Sequence, residues 1–237
     1  MPINMIKKEV YKIDYNSLSN ELNAMKILNN PSIQNLYINK WIQTLKELDI
    51  LACKDYSNPN VKSLMLKEEL EAPENFQLPI HYKSNNMYIH FRVSRLIQIL
   101  EEFGIGNKDA QNIKIEDFTE KCSYINWTRT NNIVNISSQP IIMAPLTLGN
   151  YFRFVVIDGN HRITSYIERK EKIINSICVD ANMLVENNLF CTGFDKYLYI
   201  FQNEAVALST LVHKDGYSDK EALELAYFSS RKVQCYI

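Results

Sequence analysis

Glycine is scarce in this chain, with six residues in 237. Set beside plentiful Asn, Ile and Lys, that scarcity points by association to an AT-rich bacterial or phage genome. Cysteine is also thin on the ground. Cys53, Cys122, Cys178, Cys191 and Cys235 are odd in number and form no C-x-x-C pair. That speaks against a disulfide framework and fits reduced thiols in a cytoplasmic protein. The four histidines, His81, His90, His161 and His213, make no close ligand pair, which argues against a structural zinc site. No run approaches the roughly 18 apolar residues of a membrane span. Met1 to Lys8 is not followed by an apolar stretch, so no signal peptide is expected. An excess of one charge is missing as well: 26 Lys and Arg stand against 27 Asp and Glu, a net charge of −1. General nucleic-acid binding asks for a strongly basic domain, so DNA is not the favoured partner, although a local basic patch is compatible with this balance.

What is present is an ordinary globular composition, 46% apolar and 22% charged, enough to bury a core without staples. The length suits one large domain or two small ones. Apolar spacing predicts helices over 17–28, with Ser17 or Ser19 as cap, and over 32–51, with Ile33, Leu36, Tyr37, Trp41, Leu45 and Leu48 facing inward. Trp41 in that stripe reads as core. A shorter helix follows over 61–70. Residues 72–86 hold Pro73 and Pro79 and read as irregular or edge strand. A strand is expected over 87–93, then a helix over 94–103 with Leu96, Ile97, Leu100 and Phe103 on one side. Gly104 stands at its C′ position. This is the best domain boundary, which gives a mainly helical region 1–105 and a second unit 106–237. Arg92 and Arg95 fit either a phosphate path or a solvated helix face. Late in the chain, 194–211 reads as a buried helix or helix pair, and Ser218 to Glu221 as a capping box.

One stretch organises the rest. Phe154 to Ile157 is an apolar run typical of a buried strand, and Asp158-Gly159-Asn160 turns sharply. Ile163, Tyr166 and Ile167 then follow at helical spacing. Strand, tight turn and helix place His161 and Arg162 in the first helical turn. The first N–H groups of a helix lack intrahelical partners and the dipole is positive there, so an anion is favoured. Arg162 adds a forked cation suited to phosphate, and His161 a donor that titrates near neutral pH. The same residues also fit a plainer reading, an ordinary turn followed by a solvated helix start.

Asp158-Gly159-Asn160-His161-Arg162 resembles the signature of the ParB/sulfiredoxin superfamily, whose members carry G-x-H-R, D-G-x-H-R or G-E-R-R between a strand and a phosphate-binding helix. Gln139 to Leu146 resembles the P-I strand that precedes this signature, Ile113 to Phe118 the short first strand, and Ile173 to Val179 suits a returning strand. The likeness covers roughly residues 110–183. It implies an α/β (mixed α+β) fold, a small mixed sheet with flanking helices, here with a helical N-terminal extension.

Several chemistries occur in that superfamily. Sulfiredoxins need a reactive cysteine directly before His-Arg. Asn160 stands there and cannot supply a thiolate, so that activity is not expected. Cys178, on the expected returning strand, reads as a small core residue. The D-G-x-H-R variant is more similar to the free-serine kinase branch. By that resemblance Gly159, Asn160, His161 and Arg162 hold nucleotide phosphates, with ATP, ADP or CTP and Mg²⁺ as cofactors. Asp158 holds the turn or helps bind the metal, and Asn160 contacts substrate or caps the helix. An acidic residue soon after the first strand activates a small hydroxyl-bearing substrate. Candidates are Glu116, Asp117 and Glu120, with Glu120 best placed, although each taken alone also fits a solvated surface carboxylate. The expected function is a phosphotransferase (kinase) or NTPase. The alternatives are a nucleotide-dependent, DNA-associated regulator of the partition-protein kind and a non-catalytic module that binds a phosphorylated ligand. No convincing helix-turn-helix follows the core.

Overall fold

The computed structural model describes residues 2–235 apart from positions 5, 6, 8, 72, 73, 84, 120–123, 132–137 and 149–151. Glu120, Cys122 and Gly149-Asn150, which sit between two apolar runs as a hairpin turn would, therefore lie outside the described residues. The fold is mixed α/β, a curled five-stranded sheet with flanking helices. A two-residue ladder, β1 (Ile3–Asn4) with β2 (Glu9–Val10), precedes three helices, α1 (Tyr15–Asn23), α2 (Pro31–Ser57) and α3 (Pro59–Glu71). The hairpin β3 (Asn75–Tyr82) and β4 (Asn85–Arg92) leads into α4 (Val93–Glu102). Then come β5 (Gln111–Lys114), α5 (Glu116–Thr119), β6 (Ile125–Asn126), β7 (Ile141–Leu148), β8 (Phe152–Asp158), α6 (Asn160–Glu168) and β9 (Ile173–Cys178). Four helices close the chain: α7 (Ala181–Glu186), α8 (Gly193–His213), α9 (Asp219–Leu225) and α10 (Tyr227–Ser230). No helix among the described residues is long and apolar enough to cross a membrane.

Local chemistry sets many of the boundaries. Asp14, not Ser17 or Ser19, caps α1, its carboxylate accepting from the N–H groups of Asn16 and Ser17 at 3.1 Å each. Asn30 caps α2 with Pro31 at the first position, where a missing N–H costs nothing. The buried Gln34 amide secures the turn between them. Its oxygen accepts from Ile27 and Leu28 N–H, and its nitrogen donates to the Asn23 and Met25 carbonyls. The α2 stripe buries Tyr37, Ile38, Trp41 and Leu45, but Leu36 is 71% exposed, one position off the inward face. Phe103 is likewise exposed, and Ile99 takes its place inside α4. Within 72–86 the edge-strand alternative holds for the described residues of β3: Pro79 sits opposite Tyr88, tolerated because β3 is an edge of its two-stranded ladder. The expected first strand stops at Lys114, and Glu116 already opens α5.

The five-stranded sheet runs β5-β9-β7-β8-β6. β7 is antiparallel to β8 and parallel to β9, so the start of β7 lies beside the end of β8, with Ile142 opposite Asp158. Each face buries its own cluster. On one face α6 packs Ile163 against Ile141, Met143, Val156 and Ile174. The other face contributes Ile142, Ala144, Val155 and Ile157 to the main core. That core also takes Leu18, Trp41, Phe91 and Leu96 from before residue 105 and Phe201 and Leu208 from α8, so buried side chains from both sides of the 105/106 division pack together. α8 is apolar on most of its circumference because it is enclosed on most sides. Its polar residues are satisfied: Tyr199 Oη donates to the Pro145 carbonyl at 2.6 Å, and Asn203 Oδ1 accepts from Thr147 N–H at 3.0 Å. The Glu204 carboxylate, fully buried, accepts from Tyr37 Oη at 2.8 Å, from Trp41 Nε1 at 3.2 Å and from the Tyr227 N–H.

Candidate functional site

The turn 158–162 forms where β8 ends and α6 begins, as the sequence pattern predicts. Gly159 makes it possible. Its φ is +100°, a conformation that L side chains rarely adopt, and a Cβ there would lie 2.4 Å from Ile141 Cγ2 and 2.8 Å from Ile141 Cβ. The backbone of the turn is thus pressed directly onto the first residue of β7. α6 opens at Asn160 without a side-chain cap, since glycine has none to offer. Its positive end is turned toward whatever occupies this corner of the sheet.

Arg162 does something the sequence did not disclose. Its Nη1 donates to the carbonyl oxygens of Gln139 and Pro140, both at 2.6 Å, and its Nη2 donates to Asp158 Oδ2. The two side chains are only 12% and 16% exposed. The guanidinium is a brace that ties the first turn of α6 to the segment leading into β7 and to the end of β8. Asp158 and Arg162 also cancel each other's charge. Attraction for an anion at this corner therefore rests on the helix N-terminus and on the exposed His161 rather than on an open guanidinium fork.

Asn160 holds a strap. Its Oδ1 accepts from Thr128 N–H at 2.8 Å, and its Nδ2 donates to the Val156 carbonyl at 3.3 Å. One turn on, Thr164 Oγ1 accepts from Thr130 N–H at 3.1 Å and from Thr130 Oγ1 at 3.3 Å. Trp127 Nε1 donates to the Phe118 carbonyl at 2.7 Å, and Arg129 lies 3.8 Å from Glu168. Residues 127–130 are thus laid along α6 by groups at i and i+4 of one helix face.

A carboxylate also arrives from an unexpected place. Glu74, just before β3, is fixed by reciprocal bonds with Ser94, its N–H donating to Ser94 Oγ at 3.0 Å and its carbonyl accepting from Ser94 N–H at 3.1 Å. Its carboxyl is open to solvent, yet partial burial and the negative Asp158 raise its pKa, while Arg162 and His161 pull the other way. Glu74 therefore shares the electrostatic environment of the turn. Nothing local in the sequence marks it, because the hairpin and α4 deliver it.

Of the other expected acids, Glu116 forms a 3.0 Å ion pair with Lys114, both well exposed, and Asp117 raises the nearby Tyr124 phenol after burial has done most of that work. Arg95 is engaged with Gln98 at 3.1 Å and Glu102 at 3.6 Å on its own helix. Cys178 is exposed as the last residue of β9 rather than a core residue, although strand alternation puts it on the side of the buried Ile174 and Ser176. Its thiol is pushed up to about 11 by the protein packed around it and by Asp180, the reverse of what a reactive thiolate requires. Among the described residues no group of three or more His, Cys, Asp or Glu side chains could hold a metal ion. Compared with family models, curated proteins and solved structures, the chain finds no match in any of the three.

Proposed function

We propose that this chain is a nucleotide-phosphate-binding protein of the ParB/sulfiredoxin type that acts as a phosphotransferase or NTPase. One observation carries the reading: a strand ends in a glycine turn, forced by contact with the neighbouring strand, that opens a helix without a side-chain cap and sets His161 on its first turn. Phosphoryl transfer asks mainly for positioning and charge neutralisation, which is what such a turn supplies. The backbone N–H groups at 160–162 receive phosphate oxygens and His161 donates to them. Arg162 positions the turn through its bonds to Gln139, Pro140 and Asp158. Mg²⁺ would arrive with the nucleotide, held chiefly by phosphates, with Asp158 the carboxylate nearest to it in sequence. Glu120 and Glu74 are the two candidate bases for an acceptor hydroxyl or water.

The test is turnover. With Mg²⁺ and ATP, ADP or CTP, release of phosphate or its transfer to a small hydroxyl compound is expected, and His161→Ala should abolish it. Nucleotide binding without turnover across a panel of hydroxyl acceptors would leave a non-catalytic binding module.

A further inference from the structure

A cleft of about 140 Å³ opens beside the turn, between the end of α4, the loop 105–107 and the central strands. Its floor is apolar, with Ile105, Ile142 and Ile177. Its rim carries two amides, Asn107 and Gln139, and two carboxylates, Glu101 and Asp158. The cleft and the turn share a wall. Asp158 lines the cleft and ends β8, and the carbonyls of Gln139 and Pro140, both lining residues, hold the Arg162 guanidinium. An apolar floor with amides and carboxylates at its edge suits a planar heteroaromatic ring: the faces are buried and the edge is hydrogen-bonded. The volume admits a ring system but not a whole nucleotide.

We propose that this cleft is the nucleobase slot of a nucleotide whose phosphates lie at the 159–162 turn. This inference rests on the reading of that turn as a phosphate site. Ribose and phosphates would run along the shared wall from the cleft toward the start of α6. Ionised carboxylates only accept hydrogen bonds. With Asp158 held by Arg162, Glu101 is the carboxylate that favours a base with an exocyclic amino group, adenine, cytosine or guanine, over uracil, which presents none.

Gly106 supplies the test. Its backbone is extended, with φ −161°, and a Cβ there meets nothing within 4 Å. Gly106 lines the cleft, so Gly106→Phe fits the backbone and adds a ring at the cleft wall, with Gly106→Ala as the size control. Calorimetric titration of the full chain uses ATP, CTP, UTP and inorganic tripolyphosphate as probes. The parent should bind ATP or CTP more tightly than UTP. Gly106→Phe should lose about tenfold to a hundredfold of that affinity, the scale of one buried apolar group kept out of its site, and bind tripolyphosphate unchanged. His161→Ala should weaken both. Undiminished nucleotide affinity in Gly106→Phe, alongside loss in His161→Ala, overturns the slot and leaves the phosphate site standing. Loss of tripolyphosphate binding in a folded Gly106→Phe also overturns the slot. No binding of any probe to the parent overturns both readings. If Gly106→Phe does not fold, Asn107→Leu, at an exposed lining position, takes its place: weaker ATP or CTP binding with tripolyphosphate unchanged supports the slot, and unchanged nucleotide affinity overturns it.

Discussion

Gly159→Ala is the perturbation with the largest predicted effect for the smallest chemical change. Two costs add. A non-glycine residue in a left-handed conformation costs about 1–2 kcal/mol. The new methyl also starts 2.4 Å from Ile141 Cγ2 and 3.1 Å from Ile141 Cα. Side-chain rotation can relieve the first of those contacts but not the second, because it is backbone. Overpacking of this kind costs about 1–3 kcal/mol. The sum, about 2–5 kcal/mol, should lower the melting temperature of a chain this size by roughly 10 °C. Urea unfolding measures the free energy directly, and Ile141→Ala closes a double-mutant cycle. Removing Cγ2 should recover part of the loss, so the double variant should be less unstable than the two single losses summed. A Gly159→Ala protein within about 0.5 kcal/mol of the parent would refute the argument that the turn is held against β7 by the absence of a side chain.

Three further outcomes follow from the same structure. Arg162→Ala should cost about 3 kcal/mol, since it strands a half-buried Asp158 and two carbonyls, and Arg162→Lys should recover only part because an ammonium lacks the fork; paired melts with Asp158→Asn separate brace from charge. Asn160→Ala and Thr164→Val should each cost about 1 kcal/mol and speed hydrogen exchange at the Thr128 and Thr130 amides, which these side chains accept from. Glu204 gives a pH signature: burial raises its carboxyl above the ordinary 4.5, so the folded state holds the proton more tightly than the unfolded one. Stability from this group is therefore lost as pH rises above that ordinary value, and Glu204→Gln should flatten that slope in melts taken across the acidic range.

Much of the site's backbone was legible because it depends on neighbours in sequence. The apolar run into Asp158, the glycine and the helical spacing after it are local signals, and so is the Ser218–Glu221 capping box, which forms with both bonds. What escaped the sequence reading depends on distant partners. Leu36 and Phe103 fit helical stripes by spacing but are exposed at their margins, whereas Tyr37, Trp41, Leu45, Leu96 and Leu100 of the same stripes are buried. Arg162 read as an open phosphate fork because its acceptors are main-chain carbonyls at 139 and 140, which carry no side-chain signal. Asn160 read as substrate contact or cap, whereas it accepts from the backbone of Thr128. Glu74 comes into the electrostatic environment of the turn only through its anchoring to Ser94 of α4.

The central claim is that the 159–162 turn binds nucleotide phosphate. The most direct test is a thermal-shift panel of ATP, ADP, CTP, GTP and AMP with Mg²⁺, comparing the parent with His161→Ala, a change at an exposed side chain that leaves the Arg162 brace intact. A nucleotide at about 100 times its dissociation constant adds about 2.7 kcal/mol, a rise of roughly 5–10 °C for a chain of this length. Phosphate binding at the turn predicts such a rise for at least one triphosphate or diphosphate and its loss in His161→Ala. Equal shifts in both proteins, or none with any nucleotide, would contradict it.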